Sequence, residues 1–237
     1  MSDYPTSRLP IPQAPPRRRR RRGPVVFLVV VVVLIALLVI ADRAAATYAD
    51  NKAATEMQSQ GFSSKPHVAI QGFPFLTQAI GRDFHDIHIT ATGEQAGPVE
   101  IDHIDATLTD VKLNSGYNAG TISRLSGAGL ITFASLANAS SAPGLKISAI
   151  SGDRVKIAID LGIVSGSAIA QVTKVGANKI NVKVISANGL PISALGGLGD
   201  MTITIPALPL NMTLQSVSVS AQGVLIHVTG QNVNFGG

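Results

Sequence analysis

Seventeen consecutive residues, Val25 to Ala41 (VVFLVVVVVLIALLVIA), carry no charge, no Gly and no Pro. At 1.5 Å rise per residue a helix over this run is about 25 Å long, near the lower limit for crossing a hydrocarbon layer. Valine favours helix only modestly in water, but in hydrocarbon a helix is how one segment satisfies all its own backbone groups. Six arginines stand just before the run: Arg17, Arg18, Arg19, Arg20, Arg21 and Arg22. A Lys/Arg excess beside a span stays on the cytoplasmic side. The expectation is therefore a single-pass anchor at 25–41 in the plasma membrane, with the N-terminus cytoplasmic and the C-terminal domain extracytoplasmic. A signal peptide cleaved at Ala44-Ala45-Ala46 is the rival, disfavoured by the length of the apolar block and by Asp42 and Arg43 behind it. Residues 1–24, rich in Pro and Arg, have too little apolar content to offset their ordering entropy and read as a disordered tail. Beside a span, the arginines read as topogenic and lipid-contacting.

The formal charge of +5 belongs to that tail. From Asp42 onward Lys and Arg number 12 and Asp and Glu 13, so residues 42–237 offer no basic face for nucleic acid. Cysteine is absent, which excludes disulfides, thiolate metal sites and a cysteine nucleophile. Tryptophan is absent too, and aromatics are 4% of the chain, which argues against a stacking platform for free sugars.

Asp42 to Gln60, rich in Ala and lacking Gly and Pro, reads as a helix, with Ala46, Ala49, Ala53 and Met57 as a thin packing seam or as a stalk continuing the span. From Pro66 onward the apolar period changes to two. Ile87, Ile89 and Ala91 alternate with His88, Thr90 and Thr92, and Val155, Ile157, Ile159 and Leu161 with Lys156, Ala158 and Asp160. Similar patterns predict strands at 67–71, 99–113, 121–132, 144–150, 167–175, 180–184, 201–205, 214–221 and 224–230. The 99–113 segment changes phase near His103 and Asp110, which predicts bulges and strong curvature. Short helices are predicted at 74–80 and 133–139.

About ten strands each offer an apolar face, yet beyond the stalk only two short helices can cover them. The sheet must cover itself, as a sandwich, barrel or rolled tube. Its strands are mostly Val, Ile and Ala, which suits either a packed core or a tube with room for an apolar ligand.

The segment Gly72-Phe73-Pro74-Phe75-Leu76-Thr77-Gln78, set between a short strand and the strand Ile87-His88-Ile89-Thr90, resembles the signature of an actinobacterial cell-envelope family long known only as a domain of unknown function. That family includes the mycobacterial lipomannan elongation factor. The layout is similar as well: one N-terminal apolar segment, an Ala-rich helix, the GFPFLTQ-like turn, then a β-rich domain, over roughly Ala41 to Val233. The resemblance implies an α+β fold of the tubular lipid-binding (TULIP-like) kind, a curved antiparallel sheet rolled around a long helix. It also implies an apolar groove for phospholipid or polyprenyl-linked glycolipid, and no catalytic residues. Phe73, Phe75, Leu76, Ile80, Ile157 and Ile159 are the candidate lipid-binding residues. The apolar groups of the GFPF turn either plug one end of the core or gate the groove mouth.

The densest polar cluster is Arg82-Asp83-Phe84-His85-Asp86-Ile87-His88, with Asp102-His103-Ile104-Asp105 as a second. His and Asp serve as metal ligands and as acid–base groups. In an extended strand, however, Asp86 and His88 share a face that His85 does not, so the spacing gives no compact ligand set. There is no G-x-S-x-G elbow, HExxH helix or phosphate-binding loop. The expected function is thus a membrane-anchored envelope protein, not an enzyme and without cofactor or metal, that holds or presents a lipid in support of lipomannan-type glycolipid synthesis, with envelope glycosyltransferases as possible partners. The alternative is a scaffold with a solid core that docks on such enzymes without binding lipid.

Overall fold

A computed structural model describes residues 23–96, 99–139, 144–160, 165–189, 200–204 and 212–236. Arg17 to Arg22 lie outside these residues. The first element, α1 (Gly23–Ser59), is one continuous helix that includes both the apolar run and the Ala-rich segment. The chain divides after Ile40 into two units, described in turn. In the first, the side chains from Val26 to Ile40 are almost all exposed, and by length and composition the helix is able to cross a membrane.

In the second unit, the rest of α1 buries Asp42, Ala46 and Ala54 and half-buries Ala45, Ala49, Ala53 and Met57. These recur every three to four residues, so they form one stripe, and their small size lets the helix approach its neighbours closely. Two carboxylates fix the approach. Asp50 Oδ1 accepts the Ile70 N–H at 2.8 Å, and Asp42 Oδ1 accepts the Leu76 N–H at 2.8 Å.

The strands follow as β1 (His67–Gln71), β2 (Asp83–Ala96), β3 (Val99–Leu113), β4 (Gly120–Thr132), β5 (Leu145–Ala149), β6 (Arg154–Asp160), β7 (Ser165–Lys174), β8 (Lys179–Asn188), β9 (Asp200–Thr204), β10 (Thr213–Val219) and β11 (Gly223–Phe235). Two short helices interrupt them, α2 (Phe75–Gly81) before β2 and α3 (Phe133–Ala139) after β4. All pairings are antiparallel. They give two open, curved sheets, of order β1-β2-β3-β4-β11-β10 and β5-β6-β7-β8-β9. The fold is mainly β with α, as the alternation predicts.

Where bulges were expected in β3, the β2–β3 ladder is interrupted symmetrically. It skips His85 with Asp110, whose φ is 54°, and Gly93 with Asp102. One-sided register shifts occur instead in β10, where Gln215 is skipped between Leu214 and Ser216, and in β8, where Ile185 is skipped opposite Ile169 and Ala170.

Two separate cores hold the unit together. In the first, Ala46 of α1 and Phe75 of α2 pack with Phe84, Val111, Ile122, Leu125 and Val233 of the larger sheet. In the second, Phe133 of α3 packs with Val155, Ala170, Val172 and Ile180 of the smaller sheet and Leu214 and Val224 of the larger. The two sheets therefore cover each other here, which answers the shortage of helices.

Candidate functional site

The registers sort the larger sheet into two faces. Ile87 pairs with Leu108 and Leu108 with Leu125; Ile89 pairs with Ala106, Ala106 with Gly127 and Gly127 with Val228; Ala91 pairs with Ile104, Ile104 with Gly129 and Gly129 with Ile226. Side chains alternate along a strand, so these residues share one face. It is the inner face, because Ile87, Leu108 and Leu125 join the first core and Ile226 packs against the second.

Between the two clusters, that face continues through positions that belong to neither. Ile89, Ile104, Ala106, Gly127, Gly129 and Val228 are half-buried and belong to neither cluster. They cross four strands, a width of about 14 Å at the usual strand spacing. Two of the six positions are glycines on the same face of β4, so the floor there is bare backbone. A Cβ placed on Gly129 would meet only Ile101 Cγ2, at 3.5 Å, whereas one on Gly127 would meet Val228 Cγ2 at 3.1 Å. The result is an apolar strip with a shallow trough at Gly129. It has no charged side chain and is built on four neighbouring antiparallel strands. Chemically it can bury a hydrocarbon chain and little else.

The opposite face is more polar. Asp105, Ser126, His227 and Ser216, with Ala128 and the strand segments at Gly127 and Val228, line an open depression of about 370 Å³ there. His88 Nε2 lies 3.2 Å from Asp105 Oδ2, and its Nδ1 is 3.3 Å from Thr107 Oγ1. His85 stands 3.9 Å from Asp110 on an exposed edge, and His103 is exposed. Among the described residues, no three His, Asp or Glu side chains converge as a metal site. Asp102 has a structural partner set: Oδ2 accepts the Thr132 N–H at 2.9 Å and the Ser135 hydroxyl at 2.9 Å, and Oδ1 accepts the Thr132 hydroxyl at 3.1 Å. Desolvation pushes its pKa upward, but these donors outweigh it and hold the carboxyl below its ordinary value. The set ties β3 to the start of α3.

The predicted lipid-binding residues fall into three places. Phe75 is 5% exposed and forms part of the first core, its ring 6.2 Å from that of Phe84. Ile157 packs against the second core, and Ile159 lies on β6, its side chain outside the described residues. Phe73, Leu76 and Ile80 are exposed, around α2. None of these is on the strip. The residues that are were signalled in the sequence by Gly127-Ala128-Gly129 inside a strand, where glycine at alternate positions leaves one face without side chains.

A search of curated proteins and a search of solved structures gave no match. Comparison with protein-family models gave one over residues 40–229, most of the chain. An apolar trough on a curved antiparallel sheet suits that match, and the chain belongs to the LmeA-like phospholipid-binding family.

Proposed function

We propose that this protein is anchored by its apolar helix in the plasma membrane and binds the acyl or polyprenyl chain of an envelope lipid on the inner face of its larger sheet. The single observation that carries the reading is the half-buried apolar strip with Gly129 at its floor, and membership of a phospholipid-binding family supports it. Affinity comes from chain burial, at about 0.8 kcal/mol for each methylene removed from water before ordering costs. The headgroup stays at the trough edge, where a glycosyltransferase of lipomannan-type synthesis can reach it. In this reading the protein holds its lipid without bond chemistry of its own. The arginines preceding the span put the domain outside the cytoplasm.

The test is native mass spectrometry with organic extraction on residues 41–237, the second of the two units, exported from an actinobacterial host. A stoichiometric lipid absent from a control protein is the expected result. A clean apo mass after mild purification overturns the reading in favour of a docking scaffold.

A further inference from the structure

Eight large apolar residues of the second unit are exposed among the described residues, and four of them gather in one corner. Phe73 is 61% exposed, Leu76 37%, Ile80 80% and Tyr117 53%. The α2 helix buries Phe75 and Gln78 on one side and turns Leu76 and Ile80, four residues apart, to the outside. Tyr117 belongs to the same corner, since its hydroxyl donates to the Ala79 carbonyl at 2.7 Å. Arg43 completes it: its guanidinium lies 5.0 Å over the Phe73 ring and donates to the Gly72 carbonyl at 3.4 Å.

Chain connectivity says what covers this corner. Asp42, which accepts the Leu76 N–H, is the first residue after the apolar run, and Arg43 is the second. If the run ends in the membrane, residues 42 and 43 stand at its surface, and the groups bonded to them stand there too. Aliphatic side chains, a tyrosine with its hydroxyl engaged and an arginine with an aromatic partner are the composition that lies in the headgroup layer.

We propose that Phe73, Leu76 and Ile80 form a foot that seats in the interfacial layer of the bilayer the apolar helix enters. The GFPF turn then neither lines nor gates the trough. It holds the domain against the membrane from which its lipid comes. The proposal rests on the anchor reading above.

The chain has no Trp, so an introduced one is a clean fluorescent reporter. Full-length Phe73→Trp, Ile80→Trp and, as a control at an exposed turn of the smaller sheet, Val175→Trp are reconstituted in phosphatidylcholine–phosphatidylglycerol vesicles. Acyl-brominated phosphatidylcholine is the quencher. The expected result is emission quenched at least twofold at positions 73 and 80 and unchanged at 175. Unquenched emission at 73 and 80 in chain that floats with the vesicles overturns the foot and leaves the anchor intact. Blue-shifted but unquenched emission there means burial against protein, a second copy for example, and also overturns it. Chain that does not float with the vesicles overturns the anchor reading and the foot together. Lipid carried in the trough is read separately, by extraction of the same samples.

Discussion

Replacing Gly129 by Leu puts four carbon atoms over the barest part of the inner face. The backbone there is ordinary for a strand, and a Cβ meets only Ile101 Cγ2, at 3.5 Å, in ordinary van der Waals contact, so the first carbon of the new side chain fits; thermal unfolding checks the rest. Removing a glycine also lowers the entropy of the unfolded chain, which favours the fold by about 0.4–1 kcal/mol. The cost falls on the ligand. A leucine side chain excludes roughly three methylenes of a bound acyl chain, which at about 0.8 kcal/mol each is about 2.4 kcal/mol, or roughly 60-fold in Kd. Gly129→Ala excludes about one, for roughly fourfold. The assay is titration of residues 41–237 with dioleoyl phosphatidylglycerol by native mass spectrometry, with thermal unfolding of the apo protein alongside. A folded Gly129→Leu variant that binds within threefold of wild type refutes the placement of the chain at the trough.

Three further outcomes follow from the polar contacts. Glu94, a buried carboxylate, accepts the N–H groups of Ser63 and Ser64 and so ties the turn after α1 to β2; Glu94→Ala leaves these donors unpaired and is expected to cost about 1–3 kcal/mol, read as a fall of roughly 2–12 °C in Tm. The depressed pKa of Asp102 stabilises the fold fully above the unfolded carboxylate pKa and less as pH falls through the folded value; Asp102→Asn is therefore expected to flatten the acid limb of a Tm-against-pH curve, and an unchanged limb removes Asp102 from the account. The triple variant His85→Ala, His88→Ala, His103→Ala is expected to keep lipid occupancy within twofold of wild type by extraction, and loss of occupancy in a folded protein would bring the polar face into the binding site.

Period-two alternation located every described strand, because most have one face in a core, and alternation records burial. The helices at Phe75–Gly81 and Phe133–Ala139 were legible from Pro74 and from a short apolar run between strands. The symmetric skips at His85 with Asp110 and Gly93 with Asp102 appeared as phase changes, but phase does not say whether one strand or both is displaced. The strip was not legible for a different reason. Ile89, Ala106 and Val228 look like core residues in one dimension; what sets them apart is that they are half-buried and lie outside both core clusters. The bulky residues of the GFPF turn read in sequence as plugging one end of the core or gating a groove; Phe75 joins the core, and Phe73 and Leu76 face outward.

The gap between the two cores has a thermodynamic consequence. A fold with half-buried Ile89, Ile104 and Val228 is incomplete on its own, and a chain that fills the gap binds the native state and not the unfolded one. Stability then rises with the logarithm of ligand supply, by about 2.7 kcal/mol when free lipid stands at 100 times its Kd. Such a domain is most durable where its cargo is abundant, and most open to proteolysis when the cargo runs short. Its abundance would thus follow lipid supply with no dedicated sensor.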